Sequence, residues 1–293
     1  MLNKNYCLIT GASEGFGKAL AVECATRKMN LVLVALPGPE LFHLAGFIKK
    51  NYAVDVIAIE KDLSKEENCI ALFEEVTALK IKVNMLINNA GLGSTLLFNE
   101  GSIQLYQTQI KLNILATTLV TRLFVDMLEQ NSPAYILNVG SLSSFFFLAK
   151  KQVYGGTKSY IYFFSKSLRR ELKPEGIHVS VVCPGSMNTN TSVILLNRSC
   201  NWVARQAVMD PEEVAPLAID GLLNGKEVII PGRVNRIFLL FDKILPAVFK
   251  SWLTDRQMKS LNSVNVLRSA YQPVLVPENM ISLKKQSITE INN

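Results

Sequence analysis

Tyr154 and Lys158 stand four residues apart in the run Tyr154-Gly155-Gly156-Thr157-Lys158. On a helix that spacing puts them on one face, one turn from each other. A phenol titrates near pH 10 and is by itself a poor acid or base at neutrality. An ammonium held beside it favours the phenolate and draws that pKa toward working pH. Within a helix the pair is thus a proton donor tuned by its neighbour. The same spacing also arises from a helix face with no chemistry, so the pair takes its meaning from the rest of the chain.

A second group is the glycine pattern Gly11-x-x-x-Gly15-x-Gly17. It follows the apolar run Tyr6 to Ile9 and opens a helix that runs to about Arg27. Glycines there let the backbone turn tightly and approach a pyrophosphate, and the helix N-terminus adds unpaired N–H groups and positive partial charge. A purely structural strand–helix turn is the competing explanation. Three glycines in register directly after a first strand favour the dinucleotide loop.

The elements that must position these groups alternate along the chain. Strand-length apolar runs occur at Leu31 to Ala35, Val54 to Ile59, Met85 to Asn88, Ala134 to Val139, Val179 to Cys183 and Val228 to Ile230. Between them the periodicity predicts helices from Glu40 to Lys50, Lys65 to Lys80 and Ile103 to Glu129, and from Val153 to Leu172, the last carrying Tyr154 and Lys158. Unbroken apolar strands alternating with helices predict a doubly wound, Rossmann-type α/β fold, a parallel sheet with helices on both faces. No internal repeat or linker interrupts it. We expect one catalytic domain over residues 1–232, followed over 233–293 by a C-terminal helical extension and a polar tail.

Composition narrows the function classes. The 293 residues are 49% hydrophobic and 19% charged, which is globular composition. The net charge of +7 rises toward the C-terminus without forming a block, and no nucleic-acid motif accompanies it, so nucleic acid is not an expected partner. Five dispersed cysteines and two histidines without ligand spacing point to reduced thiols, a cytoplasmic setting and no metal. The strand beginning at Tyr6 leaves no room for a signal peptide, and Asp242-Lys243 and Pro246 break the most apolar late run, so no membrane span is expected.

With these motifs in order, the chain resembles the short-chain dehydrogenase/reductase family. Thr10 to Gly17, which includes Ser13, Glu14 and Phe16, is similar to that family's cofactor loop. Asn88-Asn89-Ala90-Gly91 resembles its central-strand motif, and Tyr154 to Lys158 its active-site motif. Ser141 lies at the family's catalytic serine position, thirteen residues before Tyr154, and Asn113 where the family has a fourth catalytic residue. Pro184-Gly185, ending in Thr189, resembles the segment that contacts the nicotinamide end, and Asp62-Leu63 the adenine-contacting pair. The likeness spans about Asn5 to Gly232.

The resemblance implies an NAD- or NADP-dependent oxidoreductase interconverting a ketone or aldehyde with its alcohol. Ser141 would polarise the carbonyl while Tyr154 passes a proton to the forming alcohol. Lys158 would lower the Tyr154 pKa and hold the nicotinamide ribose, and Asn113 would hold a water that continues the proton relay. Asn89, Ala90 and Gly91 would pass close to the adenosine ribose, with a packing role for Asn88 equally open. A homodimer or homotetramer is the expected assembly.

Four features depart from the pattern or extend it. The second strand ends Ala35-Leu36-Pro37 without an acid or a base, and the glycine loop carries Glu14, which would oppose a 2′-phosphate. That leans to NAD, with Lys18 or Lys61 as alternative phosphate contacts. Gly155-Gly156 inside the active-site helix suggests close backbone approach of cofactor or of a neighbouring helix. Phe145 to Leu148, Val193 to Leu196 and Trp202-Val203 make the substrate side apolar, which suits a lipophilic carbonyl or alcohol, though closure of the core or an interface would use the same residues. Finally, Arg233 to Leu253 mixes bulky apolar residues with spaced cations, the pattern of a helix packed on the body or a second subunit, or of one in peripheral membrane contact. Rival functions are a dehydratase or epimerase of the same fold, and a dinucleotide sensor without turnover.

Overall fold

A computed structural model describes residues 5–189, 191–199 and 205–244. Along the chain it forms β1 (Asn5–Thr10), α1 (Gly15–Thr26), β2 (Asn30–Ala35), α2 (Pro39–Tyr52), β3 (Val56–Glu60), α3 (Glu66–Ala78) and β4 (Lys82–Asn88). Next come α4 (Ile103–Ile110), a π-helical turn (Lys111–Ala116), α5 (Thr117–Gln130), β5 (Ala134–Val139) and a short 3-10 turn (Leu142–Ser144). The series ends with α6 (Gln152–Leu172), β6 (Ile177–Val182), α7 (Thr191–Ser199), α8 (Pro211–Leu223), β7 (Val228–Ile229) and α9 (Arg233–Ile244).

The strands form one parallel sheet in the order β3-β2-β1-β4-β5-β6-β7. Each strand reads as an unbroken apolar run because both of its faces are covered. In β1, Cys7 and Ile9 join the core beneath α1, α2 and α8, while Tyr6 and Leu8 join the opposite core beneath α3, α5 and α6. Leu31 and Leu33 of β2 repeat the first choice, and Val32 and Val34 the second. This is the doubly wound, single-domain Rossmann-type arrangement, and its strand order reverses between β1 and β4. Ligands of such sheets bind at that switch point, beyond the carboxyl ends of the strands.

The expected strands and helices are present within a few residues of their expected bounds. The helix expected over Ile103 to Glu129 is continuous from α4 to α5, but its middle turn is π-helical and carries Asn113. Thr191–Ser199, which holds the apolar run Val193 to Leu196, is helical. The helix α8 was not expected, although its start is written in the sequence. Asp210 and Glu213 form a reciprocal capping box, and Pro211 occupies the first turn, where its missing N–H costs nothing. Trp202-Val203 and the stretch 245–253 of the cationic C-terminal run lie outside the described residues. Among the described residues no helix is long and apolar enough to cross a membrane.

Candidate active site

The glycine loop leaves β1 through Gly11, at φ +64, and enters α1 at Gly15, at φ +53. Both lie in the left-handed region, where a side chain strains the backbone. A Cβ on Gly17 would fall 2.0 Å from the Gly11 carbonyl oxygen, so loop and helix pack too closely for any other residue. The first turn of α1 carries no acidic residue, and Glu14 at its N-cap makes no side-chain cap, which leaves the N–H groups directed out of the loop. Phe16 is buried in the core, so only its backbone faces the loop. Ser13 is half-buried beside it and Glu14 is exposed.

The turn after β4 is tied to this loop through Thr10 and Asn89. Thr10 Oγ1 accepts hydrogen bonds from the Asn89 and Ala90 N–H groups, each at 3.0 Å. The Asn89 side chain donates to the Thr10 and Gly11 carbonyls at 3.0 and 2.9 Å. Its amide nitrogen therefore holds the glycine loop in shape. Asn88 donates to Thr121 Oγ1 and Asn138 Oδ1 at 2.9 and 2.8 Å, and Asn138 donates to Ser165 Oγ at 2.9 Å. This buried chain of amides and hydroxyls locks α5, β4, β5 and α6 together beneath the site, which answers the packing question for Asn88. Asp62, after β3, accepts from the N–H and hydroxyl of Ser64, and Leu63 is buried. At the far end of the cleft a Cβ on Gly15 would lie 3.2 Å from Thr189 Cβ, so the two loops nearly meet.

Tyr154 and Lys158 share one face of α6, as their spacing predicts. Lys158 Nζ lies 6.0 Å from the Tyr154 ring centroid and donates to the Val139 carbonyl at 2.7 Å. Lys158 is buried, and desolvation lowers its pKa to about 8. The thiol of Cys183 beneath it is pushed up to about 12 by burial and so stays neutral at physiological pH. Lys151 is a second cation at the ring, with its Nζ 5.1 Å from the centroid.

Ser141 follows β5 in extended backbone and caps the 3-10 turn. Its Oγ accepts from the N–H of Ser143 at 3.1 Å and from the Ser143 hydroxyl at 2.8 Å. With both lone pairs engaged, the Ser141 hydroxyl has its own proton left to give. Leu142 N–H donates to the Pro184 carbonyl at 2.9 Å, which sets the Pro184-Gly185 turn beside Ser141.

Asn113 is 1% exposed and joins three segments. Its Oδ1 accepts from Leu92 N–H at 2.7 Å, and its Nδ2 donates to the Leu92 carbonyl at 3.0 Å and to Thr157 Oγ1 at 2.9 Å. Thr157 donates in turn to the Tyr154 carbonyl at 2.8 Å. The side-chain amide is thus spent on the protein, and the π-helical turn is what aims it. Such turns interrupt helices chiefly where a site needs them. A Cβ on Gly91 would lie 3.1 Å from Asn113 Oδ1 and 3.5 Å from Lys158 Nζ, so the turn after β4 closes over both.

The catalytic and cofactor residues assigned from the sequence therefore lie along the glycine loop, the turns after β3, β4 and β6, the π-helical turn and the Ser141–Tyr154–Lys158 corner, with Leu63 lining one small cavity together with Thr10 and Ala90. Thr10, Ser143, Thr157 and Asn235 are the additions. Asn235 of α9 is 1% exposed, donates to the Ala207 and Pro231 carbonyls at 3.3 and 2.9 Å, and would lie 2.8 Å from a Cβ on Gly185. Thr157 sits within the Tyr/Lys motif and Ser143 two residues past Ser141, so adjacency was the available signal for both. Nothing in sequence spacing points to Asn235. The glycine pair leaves room around it within this chain. A Cβ on Gly155 would make ordinary contact with the Ser143 carbonyl at 3.5 Å, and one on Gly156 would meet nothing within 4 Å. Neither glycine is required by packing within this chain.

Comparison with known proteins agrees with this geometry. The model of the short chain dehydrogenase family matches residues 5–196, about two thirds of the chain. The 3-oxoacyl-(acyl-carrier-protein) reductase of Aquifex aeolicus is 28% identical over 216 residues, covering 72% of this chain and 87% of that protein. The bulky-bulky ketone specific alcohol dehydrogenase of Comamonas testosteroni superposes with a TM-score of 0.71 at 29% identity, covering 83% of this chain and 92% of the other. A short-chain dehydrogenase of Sphingobium yanoikuyae, solved with NADPH, gives a TM-score of 0.70 at 28% identity over 82% and 93% of the two chains. The chain belongs to the short chain dehydrogenase family and is an NAD(P)-dependent oxidoreductase.

Proposed function

We propose that the protein interconverts a lipophilic ketone or aldehyde and its alcohol, with Tyr154 as the group that gives or takes the proton. The observation that carries this is the corner where Ser141, Tyr154 and Lys158 meet. There Ser141, with both lone pairs occupied, follows the strand end whose Val139 carbonyl holds the Lys158 ammonium, and Lys158 shares a helix face with the Tyr154 phenol. Ser141 donates its remaining proton to the carbonyl oxygen and polarises it. Tyr154 donates to the same oxygen as negative charge develops there, and takes the proton back in the reverse direction. Lys158, held at the Val139 carbonyl, supplies the positive charge that makes the phenol acidic enough. Asn113 positions Tyr154 through Thr157 and the turn after β4 through Leu92.

The loop fits a dinucleotide: Gly11 and Gly15 adopt conformations that keep side chains out, and the α1 N-terminus is open to a pyrophosphate. Gly11, Ser13, Glu14, Gly15, Phe16 and Gly17 would cradle it, with Asn89 to Gly91, Pro184, Gly185 and Thr189 along its length and Lys158 at the nicotinamide ribose. When bound, the nicotinamide gives or takes the hydride. Several observations favour NAD(H). Glu14 is exposed at the loop, and Leu36 is 62% exposed at the end of β2. The carboxylate of Glu60 accepts from Gly38 N–H at 2.9 Å in the turn where the adenosine ribose would lie. Lys61, one candidate for a phosphate contact, is paired with Glu75 at 3.1 Å.

A lipophilic substrate is supported by exposed apolar side chains on the segments that border the corner. Phe147 is fully exposed, and Phe98, Leu97 and Leu195 are 62%, 46% and 44% exposed. Phe145 belongs to the core instead, stacked edge-on against Tyr162. The test is a titration of both dinucleotides at low salt, followed by a panel of lipophilic carbonyls read at the nicotinamide absorbance band. We expect turnover, with NADH bound at least as tightly as NADPH. No turnover with either cofactor would overturn the reaction, and a clear NADPH preference would overturn the cofactor reading alone.

A further inference from the structure

The two ends of the sheet differ in what they show to solvent. In a parallel sheet every loop that leaves a strand lies at one end, the end where the candidate site stands. On the half built from β4 to β7, that end exposes Leu97 and Phe98 after β4, Ile103 at the start of α4, Phe147 after β5, Leu195 in α7 and Ile237 in α9. Hydrogen bonds and ring contacts hold these segments side by side. Leu96 N–H donates to the Lys150 carbonyl at 3.0 Å, which joins the loop of Leu97 and Phe98 to that of Phe147. Phe98 stacks on Tyr106, one turn along α4 from Ile103, with centroids 5.2 Å apart. Asn197 of α7 donates to the Met187 carbonyl and Asn235 of α9 to the Ala207 carbonyl, each at 3.3 Å, so both helices start from the segment after β6. The opposite end, where helices lead into strands, exposes Leu79 among charged residues of both signs, such as Lys28, Asp55, Lys173 and Glu175.

Charge is distributed in the same lopsided way. The segments 89–99, 140–151, 184–209 and 230–237, which make up the apolar half, contain six Lys or Arg and no Asp or Glu. Arg198, Arg233 and Arg236 among them are exposed. The acids that border these segments serve caps: Glu100 accepts from Leu97 N–H at 2.9 Å, and Asp210 caps α8. The other half of the same end, where the adenosine part of a dinucleotide would lie, is mixed, with Glu14, Glu60 and Asp62 beside Lys61 and Lys65. Apolar exposure and net positive charge therefore coincide on the substrate half alone. Apolar exposure of this extent marks contact with a partner, and surrounding cations select an anionic one. Phe147 is fully exposed, and Phe98 and Ile103 mostly so. They project instead of lining a groove, which suits a fluid phase better than a folded protein with its demand for shape complementarity. An anionic bilayer supplies acyl chains for these side chains and headgroups for the arginines.

We propose that the substrate side of the mouth docks on the surface of an anionic lipid bilayer, with Phe98 and Phe147 inserted, and that the substrate enters from that phase. The docking rests on this surface; entry of substrate from the bilayer rests in addition on the lipophilic reading of the site. The full chain would be sedimented at low salt with vesicles of phosphatidylcholine, alone or with about a quarter phosphatidylglycerol. We expect binding to the anionic vesicles that weakens with added salt, and a partition coefficient about tenfold lower for the double variant Phe98→Ser, Phe147→Ser. Contact is located with vesicles whose acyl chains carry bromine, a quencher of indole fluorescence. Phe147→Trp should be quenched beyond the wild type, whereas Leu79→Trp, at the far end of the sheet, should not. A wild type that stays in the supernatant with anionic vesicles would overturn the proposal. Binding that the double variant leaves unchanged, or a Phe147→Trp that is not quenched, would place the contact elsewhere and overturn it too. So would a dimer, seen by sedimentation velocity, that the double variant splits, since a second copy would then cover the rim. Turnover of a short water-soluble ketone by the wild type is followed separately: its absence would overturn the proposed reaction and leave the docking standing.

Discussion

Two side chains beside the phenol have consequences that can be measured separately. Ser143 fixes Ser141 as a donor through a hydroxyl at 2.8 Å and an N–H at 3.1 Å. Ser143→Ala keeps the N–H and loses the hydroxyl, a net hydrogen bond of about 1 kcal/mol. We expect kcat to fall roughly fivefold while dinucleotide affinity, measured by fluorescence titration, does not move; a change confined to affinity would contradict the role. Lys158 carries a stability cost as well as a function. Burial lowers its pKa to about 8 from the ordinary lysine value of 10.5, so the folded state resists the charged form. The cost is fully present below about pH 8, and wild-type stability recovers as pH rises from there toward 10.5, because only the unfolded chain stays protonated in that window. Lys158→Met should therefore melt higher than wild type at neutral pH, on the order of 1–3 kcal/mol, and lose that advantage above about pH 8. A variant that melts lower at pH 7 would show that the Val139 contact outweighs desolvation.

At the scale of elements, the sequence reveals more about the framework than about what aligns it. Apolar runs in parallel strands and the glycine pattern depend on local residue order, so β1 to β6, α1 and α6 could be placed before any coordinates. The capping box of Asp210 and Glu213 is equally local. The π-helical turn at Asn113 was not legible, because it answers a tertiary demand: the amide must reach Leu92 and Thr157 together. The role of Asn235 was hidden for the same reason, since it depends on Ala207 and Gly185, far away in sequence. A Cβ on Gly156 meets open space in this chain, so Gly156→Ala should raise thermal stability by about 1 kcal/mol through helix propensity. Destabilisation or loss of assembly on gel filtration would instead show that a second copy covers this face, where Phe163 of the same helix is 73% exposed.

For the molecule as a whole, the sheet's switch point gathers residues distant in sequence into one site. The glycine loop after β1, the turn after β4, Asn113 of the π-helical turn, Ser141 after β5 and the Tyr154–Lys158 face of α6 converge there, over a buried lattice from Thr121 to Ser165. Breaking one of these buried donor bonds would leave an amide nitrogen unpaired, at a cost of about 1–3 kcal/mol. The central claim is that this assembly moves one proton through Tyr154. Removing a single oxygen tests it, because Tyr154→Phe keeps the ring, its packing and both neighbouring lysines. Hydride transfer would be followed at the nicotinamide band with the best substrate of the wild type, alongside dinucleotide titration of the same preparation. The account predicts a fall of about two to four orders of magnitude in kcat with cofactor binding retained; turnover within a few fold of wild type would contradict it.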